Sequence, residues 1–204
     1  MKNTPGVFIV DDDEQVRSAL TLLMRSVGLS TQSFSSAHEY LEQFDVNQPG
    51  CLILDVRMPG ISGLDLQARL TAEVIHPPII IITGHGDVPM AVRAVTAGAV
   101  DFIEKPFNNQ AMLDSVHRAI ELDAKQRGET SRIQDIETRY NELTPREKEV
   151  LQCVIEGKRN KIIAADMNIS QSTVEAHRAK VMDKMLASSL SDLMRMALLL
   201  KLIS

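Results

Sequence analysis

Three short unbroken apolar runs, Val7-Phe8-Ile9-Val10, Cys51-Leu52-Ile53-Leu54 and Ile79-Ile80-Ile81-Ile82, constrain this chain more than anything else in it. Each is too short for a stable helix and continuous rather than alternating. That is the pattern of a parallel strand covered on both faces. Ser30–Phe34 and Asp101-Phe102-Ile103-Glu104 are weaker strands of the same kind. Between consecutive runs lie stretches with helical spacing, and parallel strands require crossovers of that sort.

The intervening stretches carry their own start and stop signals. Val16, Leu20, Leu23, Met24 and Val27 recur at helical spacing, and Gly28 closes the helix. Ser36 and Glu39 read as a capping box opening a short helix that carries Tyr40, Leu41 and Phe44. Met58-Pro59-Gly60 turns the chain, and Ser62 caps a helix with Leu64, Leu66 and Leu70. Asp87, with Pro89 in the first turn, starts a helix from Val88 to Ala97. Its Ala91, Ala94, Val95 and Gly98 are spaced to face the sheet, leaving Val92 and Thr96 on an exposed stripe. A fifth helix starts near Asn109, with Met112, Val116 and Ile120 inward. Five strands alternating with five helices predict an α/β, flavodoxin-like, doubly wound parallel sheet.

The strand ends carry the chemistry. They deliver Asp11 and Asp12, then Asp55, Thr83 and Lys105. In an open α/β sheet all of these fall on the carboxyl edge, where ligands bind. Carboxylates gathered there repel one another unless a hard cation such as Mg²⁺ neutralises them. A Lys and a Thr hydroxyl opposite suit a phosphoryl group, whose transfer needs positioning and charge neutralisation above all. Singly, each residue has a plainer reading: a strand-end Asp is usually a turn residue or cap, Thr83 a turn hydroxyl, Lys105 a solvated charge. Asp13 and Glu14 are assigned to the helix start. Joint placement at successive strand ends favours the site.

The DDD run at 11–13, the Asp55–Gly60 run DVRMPG, Thr83 and Lys105-Pro106 together resemble a response-regulator receiver domain. GHGDVPMAVRA and GAVDFIEKPF are similar specifically to the FixJ group. The resemblance implies that Asp55 accepts phosphate from a sensor histidine kinase. It implies Mg²⁺ held by Asp11, Asp12, Asp55 and the carbonyl of Arg57, with Lys105 and Thr83 on the phosphoryl oxygens and a cis Lys105–Pro106 bond. Thr83 and Phe102 form the expected switch, and Val92 with Thr96 the expected face of a homodimer formed on phosphorylation.

Residues 122–142 are highly charged and nearly free of core-sized side chains, although Ile133, Ile136, Tyr140 and Leu143 keep helical spacing. A receiver over 1–124 is therefore expected to lead through a partly helical linker, 125–140, with its flexible point at Gly128 and Thr130-Ser131. The last segment, 141–204, opens on the capping box Thr144-Pro145-Arg146-Glu147. A short helix from Asn160 to Met167 and a second one capped by Ser170 and running to about Met185, joined by the three-residue turn Asn168-Ile169-Ser170, fit a helix-turn-helix. The wording LTPREKEVL…EGKRNKIIA…ISQSTVEAHRAKVMDKM resembles the LuxR/NarL/FixJ DNA-binding domain, a small all-α unit of four helices. On its second helix Val174, Val181 and Met185 are expected inward. Glu175, Ala176, Arg178, Ala179 and Lys180 are expected outward, toward base edges of double-stranded DNA. Lys161, Thr173, His177, Lys180 and Lys184 are expected on phosphates, with plain solvated or packed roles as the alternative for Glu175, Lys180 and His177. A final helix, Leu190 to Leu202, packs the unit.

Charge supports two jobs. Residues 1–140 hold twelve Lys and Arg against nineteen Asp and Glu, and 141–204 hold ten against eight. No apolar run approaches the ~18 residues of a membrane span, the first residues lack a signal-peptide core, and Cys51 and Cys153 lack metal-type spacing. Buried thiols, no membrane partner and a cytoplasmic setting are expected. The chain therefore reads as a two-component response regulator that activates transcription with RNA polymerase, not as an enzyme. A phosphorylation-independent DNA-binding protein whose receiver docks a partner is the alternative, against which the intact acidic set argues. A small phosphotransferase lacks a second substrate pocket in the sequence.

Overall fold

The structure, a computed structural model, describes residues 4–73 and 76–203. It divides into two compact units between Arg127 and Gly128. The first is a five-stranded, wholly parallel sheet in the order β2-β1-β3-β4-β5. The strands are β1 Gly6–Val10, β2 Ser30–Phe34, β3 Gly50–Asp55, β4 Ile79–Thr83 and β5 Asp101–Glu104. The doubly wound expectation holds.

Period-two alternation divides the core into two layers. Phe8, Val10, Leu52, Leu54 and Ile81 pack on one face with Tyr40 of α2 (Ala37–Gln43), Leu66 of α3 (Gly63–Leu70) and Ala94 of α4 (Val88–Thr96). Val7, Ile9, Ile53, Ile80 and Ile82 pack on the other with Leu20 and Met24 of α1 (Glu14–Ser26) and Val116 of α5 (Asn109–Asn141). Cys51 shares this second layer, and burial pushes its thiol up to about 12, whereas Cys153 is only half-buried.

Caps fall where the sequence places them. Asp13, Ser36, Ser62 and Asp87 cap α1 to α4. At α2 the box is only half formed, because the Glu39 carboxylate turns back to Ser35 rather than to Ser36. Three residues of the helical spacings expected for α1 and α4 come out exposed, the first being Gly98, which lies beyond the C-cap of α4. Val27 is 43% exposed, since it lies past the last turn of α1 as its C-cap. Val95 is 57% exposed, because the inward stripe of α4 is centred on Ala94 and one residue further on is a 100° step around the helix.

β3 begins at a tight crossing. A Cβ on Gly50 would stand 1.9 Å from the Gly6 carbonyl oxygen, so only glycine fits. Its N–H donates to Asp123 on α5 at 2.9 Å, and Asp123 is 2% exposed. Arg127, one turn on, donates through Nε to both Asp123 oxygens and through its terminal nitrogens to the carbonyls of Val46 and Gln48. α5 runs through Gly128, where the expected flexible point lies, without a break in the helix. Its neighbours there are mostly strong helix formers, which carry one glycine at a cost of about 1 kcal/mol.

In the second unit Ile136 and Tyr140 of α5 join the core of α6 Pro145–Ile155, α7 Asn160–Met167, α8 Gln171–Met185 and α9 Leu190–Leu199. Thr144 and Glu147 form the full capping box of α6. Asn168 ends α7 in the left-handed region, and Ser170 caps α8. Among the described residues no helix is long and apolar enough to cross a membrane.

Candidate functional site

The parallel register brings the polar strand ends to one edge of the sheet. Asp11 follows β1, Asp55 closes β3, Thr83 closes β4, and Lys105 follows β5. Lys105 Nζ donates to Asp11 Oδ2 at 2.6 Å and to Asp55 Oδ1 at 2.7 Å. The opposite oxygens are held by backbone: Asp11 Oδ1 accepts from the Asp13 N–H, and Asp55 Oδ2 from the Arg57 N–H. Asp11 and Thr83 are fully buried and Asp55 is 4% exposed. The Lys105–Pro106 bond is cis.

Burial raises the Asp55 carboxyl above its ordinary value, against the pull of the Lys105 hydrogen bond and charge. For Lys105 burial works to lower the pKa, but hydrogen bonds to Asp11 and Asp55 override it, so the net direction is up. One ammonium thus faces two carboxyl groups in a largely buried site. The donors are all hard oxygens, and a site of few carboxylates completed by water suits Mg²⁺. The expected trio of carboxylates does not gather: Asp12 stays exposed, and no three-ligand cluster occurs among the described residues. Lys105 occupies the space between the two that do meet.

Thr83 Oγ1 accepts the His85 N–H at 3.3 Å. Phe102 is half-buried, with its ring against Gly86. A Cβ built there would stand 3.1 Å from Phe102 Cε1 and 3.3 Å from the Thr83 methyl. The two expected switch residues therefore share one narrow gap. On α4, Val92 is 58% exposed and Thr96 is exposed, and Val88 and Val95 extend that apolar stripe.

In the second unit α8 presents Glu175, Ala176, Ala179 and Lys180 to solvent, as Lys161 is on α7. Thr173 is half-buried, its hydroxyl engaged with Ser170, and His177 is half-buried with a buried Nδ1 that meets no partner among the described residues. Two expectations are overturned. Arg178 does not face outward: at 100° per residue it lies within about 40° of Val174, between two core positions. It is half-buried, lines an apolar cavity of about 250 Å³ with Val150, Val181 and Leu193, and donates to Asn160 Oδ1 at 2.9 Å. Lys184 is not free for phosphate. Its ammonium lies 2.7 Å from Glu147 Oε2 and 3.2 Å from the Glu142 carbonyl. That ion pair first, and the Thr144 N–H second, hold the 3%-exposed Glu147 down to about 2. Asn160, which also donates to Glu175 Oε1 at 3.4 Å, has no counterpart among the sequence candidates.

Comparison with known proteins agrees with both halves. Residues 7–117 match the response regulator receiver domain, and residues 141–197 match the luxR family of bacterial regulatory proteins. Nodulation protein W of Bradyrhizobium diazoefficiens is 48% identical over 191 residues, covering 94% of this chain and 84% of its own length. The transcriptional regulatory protein FixJ of Azorhizobium caulinodans is 45% identical, covering 98% of this chain and 94% of its own. Among solved structures, the response regulator StyR superposes with a TM-score of 0.85 at 44% identity, over 95% of this chain and 98% of that one.

Proposed function

From the premise that this chain belongs to the two-component response regulators joining a receiver to a LuxR-family DNA-binding domain, we propose that phosphorylation of Asp55 by a sensor histidine kinase switches it to an activating, DNA-bound dimer. Members of this family regulate transcription and are not enzymes. The observation that carries the reading is the Lys105 ammonium bridging two buried carboxylates at 2.6 and 2.7 Å.

An Asp55 oxygen attacks the phosphoryl group of the kinase phosphohistidine, forming the P–O bond as the P–N bond breaks. Asp11, Asp55 and the Arg57 carbonyl would hold Mg²⁺, with the exposed Asp12 turning in to join them, and the ion when bound supplies charge neutralisation for the transfer. Lys105 is positioned to exchange a carboxylate oxygen for a phosphoryl oxygen, since its ammonium already contacts Asp55. The buried Thr83 hydroxyl supplies a second donor once it moves toward the new charge. Phosphorylation adds roughly −1.5 to −2 charges. Withdrawal of Thr83 opens the gap it shares with Phe102, whose turning reshapes the face carrying Val88, Val92, Val95 and Thr96. Dimerisation through α4 and β5 then presents two copies of α8 to half-sites spaced by whole turns of the duplex.

At the DNA, Glu175, Ala176 and Ala179 address base edges, and Lys161 and Lys180 the phosphates. Arg178 and Lys184 act inside the unit. RNA polymerase is the partner at the promoter. Incubating the full chain with acetyl phosphate and Mg²⁺, then mapping the modified residue by mass spectrometry, tests the reading. Modification of Asp55, absent in Asp55→Asn and accompanied by a larger sedimentation coefficient, is expected. An unmodified chain that binds DNA equally well would favour the phosphorylation-independent alternative.

A further inference from the structure

Asn160 opens α7 eighteen residues from Arg178 and fifteen from Glu175, yet it touches both across the turn of the helix pair. Its side-chain oxygen accepts from Arg178 Nη1 at 2.9 Å, and its amide donates to Glu175 Oε1 at 3.4 Å. That orientation is forced: a guanidinium only donates and a carboxylate only accepts, so a single setting of the amide satisfies both. The arrangement is anchored at its inner end, because the half-buried Arg178 lines the cavity with Val150, Val181 and Leu193. At its outer end Glu175 is exposed on α8.

We propose that Asn160 is a specificity-determining positioning residue, fixing the Glu175 carboxylate in the orientation from which it reads a base amino group. The proposal rests on α8 being the helix that enters the groove. Cytosine N4 and adenine N6 are both amino donors in the major groove, at different places on the base-pair edge. A freely rotating carboxylate reaches either one. A carboxylate tethered from a second helix accepts only along one line, and it has surrendered its rotamer freedom before DNA arrives. Asn160 thus acts on the choice of base rather than on attachment to the backbone.

The test uses the full chain with acetyl phosphate and Mg²⁺ in every arm. The wild type selects its preferred duplex from a pool of randomised short duplexes, and binding to it is compared with binding to its single-base variants. Asn160→Asp keeps an acceptor for Arg178 and places an acid in the first turn of α7, where the helix dipole favours it, so the unit still folds. It has no donor for Glu175 and repels it. Preference is expected to fall roughly tenfold at one base pair, the scale of a single oriented contact. That base pair should be the one at which Glu175→Ala acts. Asn160→Ala should show the same loss without an added charge, and in the Glu175→Ala background Asn160→Asp should change nothing more. Weakening by both Asn160 variants on all duplexes alike, or effects additive with Glu175→Ala, overturns the proposal. If Glu175→Ala and Lys180→Ala leave affinity and preference untouched, the assignment of α8 itself falls, a separate and recognisable failure.

Discussion

Replacing Lys184 by Met separates a packing role from a DNA role at a single position. Its partner Glu147 is 3% exposed, and one carboxylate oxygen accepts from both Lys184 Nζ and the Thr144 N–H, at 2.7 and 2.9 Å. Lys184, the larger influence, helps bring the carboxyl from 4.5 to about 2. That interval corresponds to about 3 kcal/mol of folding free energy. The Thr144 bond survives the substitution, and the Lys184 side chain is 32% exposed, so water screens its share to about 1–2 kcal/mol. A carboxyl depressed in the folded state contributes its full stability above the unfolded value, here 4.5, and loses it as pH falls toward about 2. Lys184→Met should therefore cost about 1–2 kcal/mol at about pH 7, with the gap to wild type narrowing below the ordinary carboxylate range. Denaturant unfolding of the second unit at about pH 7 and about pH 3 measures this, with an unchanged slope as the sign that only stability moved. Because the ammonium is committed internally, the salt dependence of DNA binding should keep its slope. A slope reduced by about one, with stability unchanged, would refute the reasoning and return Lys184 to the phosphate backbone.

Three further outcomes follow from the receiver. Lys105→Met leaves Asp11 and Asp55 facing each other without a cation, so Mg²⁺ should raise the thermal midpoint of the variant more than that of wild type; a variant indifferent to Mg²⁺ would count against the pair as its ligands. Gly86→Ala wedges a methyl 3.1 Å from the Phe102 ring and 3.3 Å from the Thr83 methyl; Asp55 should still be phosphorylated, and sedimentation should show weaker dimerisation than in wild type, whereas equal dimerisation would mean the two side chains do not share that gap as they switch. Val92→Asp buries a charge in the expected dimer face and should abolish phosphorylation-dependent dimerisation while leaving mass-spectrometric phosphorylation of Asp55 intact; a dimer of undiminished stability would move the interface elsewhere.

The sheet was legible because its strands are covered on both faces, which leaves an unbroken apolar signature, and because parallel register then fixes which ends converge. Asp11, Asp55, Thr83 and Lys105 could be placed together on that ground alone. α8 shows the limit of reading by residue type. Val174, Val181 and Met185 mark its inner face, and the angle of Arg178 falls among them, but an arginine invites assignment to solvent. Arg178 lines the cavity while its guanidinium bonds to Asn160, and long cationic side chains often combine an apolar setting with a polar head group. The bonds of Asn160 and the Lys184–Glu147 pair were illegible for another reason: they join residues fifteen to thirty-seven positions apart, and no local spacing encodes them. On α4 the small residues Ala91 and Ala94 drew Val95 into the inward set, although a one-residue step leaves that face.

Arg127 bears on how such proteins can be taken apart and recombined. The receiver match stops at residue 117, ahead of both Asp123 and Arg127, which tie α5 to the Val46–Gly50 segment. A graft that joins a foreign output unit at residue 117 brings an unrelated helix to that segment, and the Gly50 N–H loses its carboxylate. A graft made after Arg127 carries the fastener with it. The module that can be exchanged is thus longer than the module that sequence similarity outlines, and hybrid regulators joined at the longer boundary should keep a receiver as stable as the parent's.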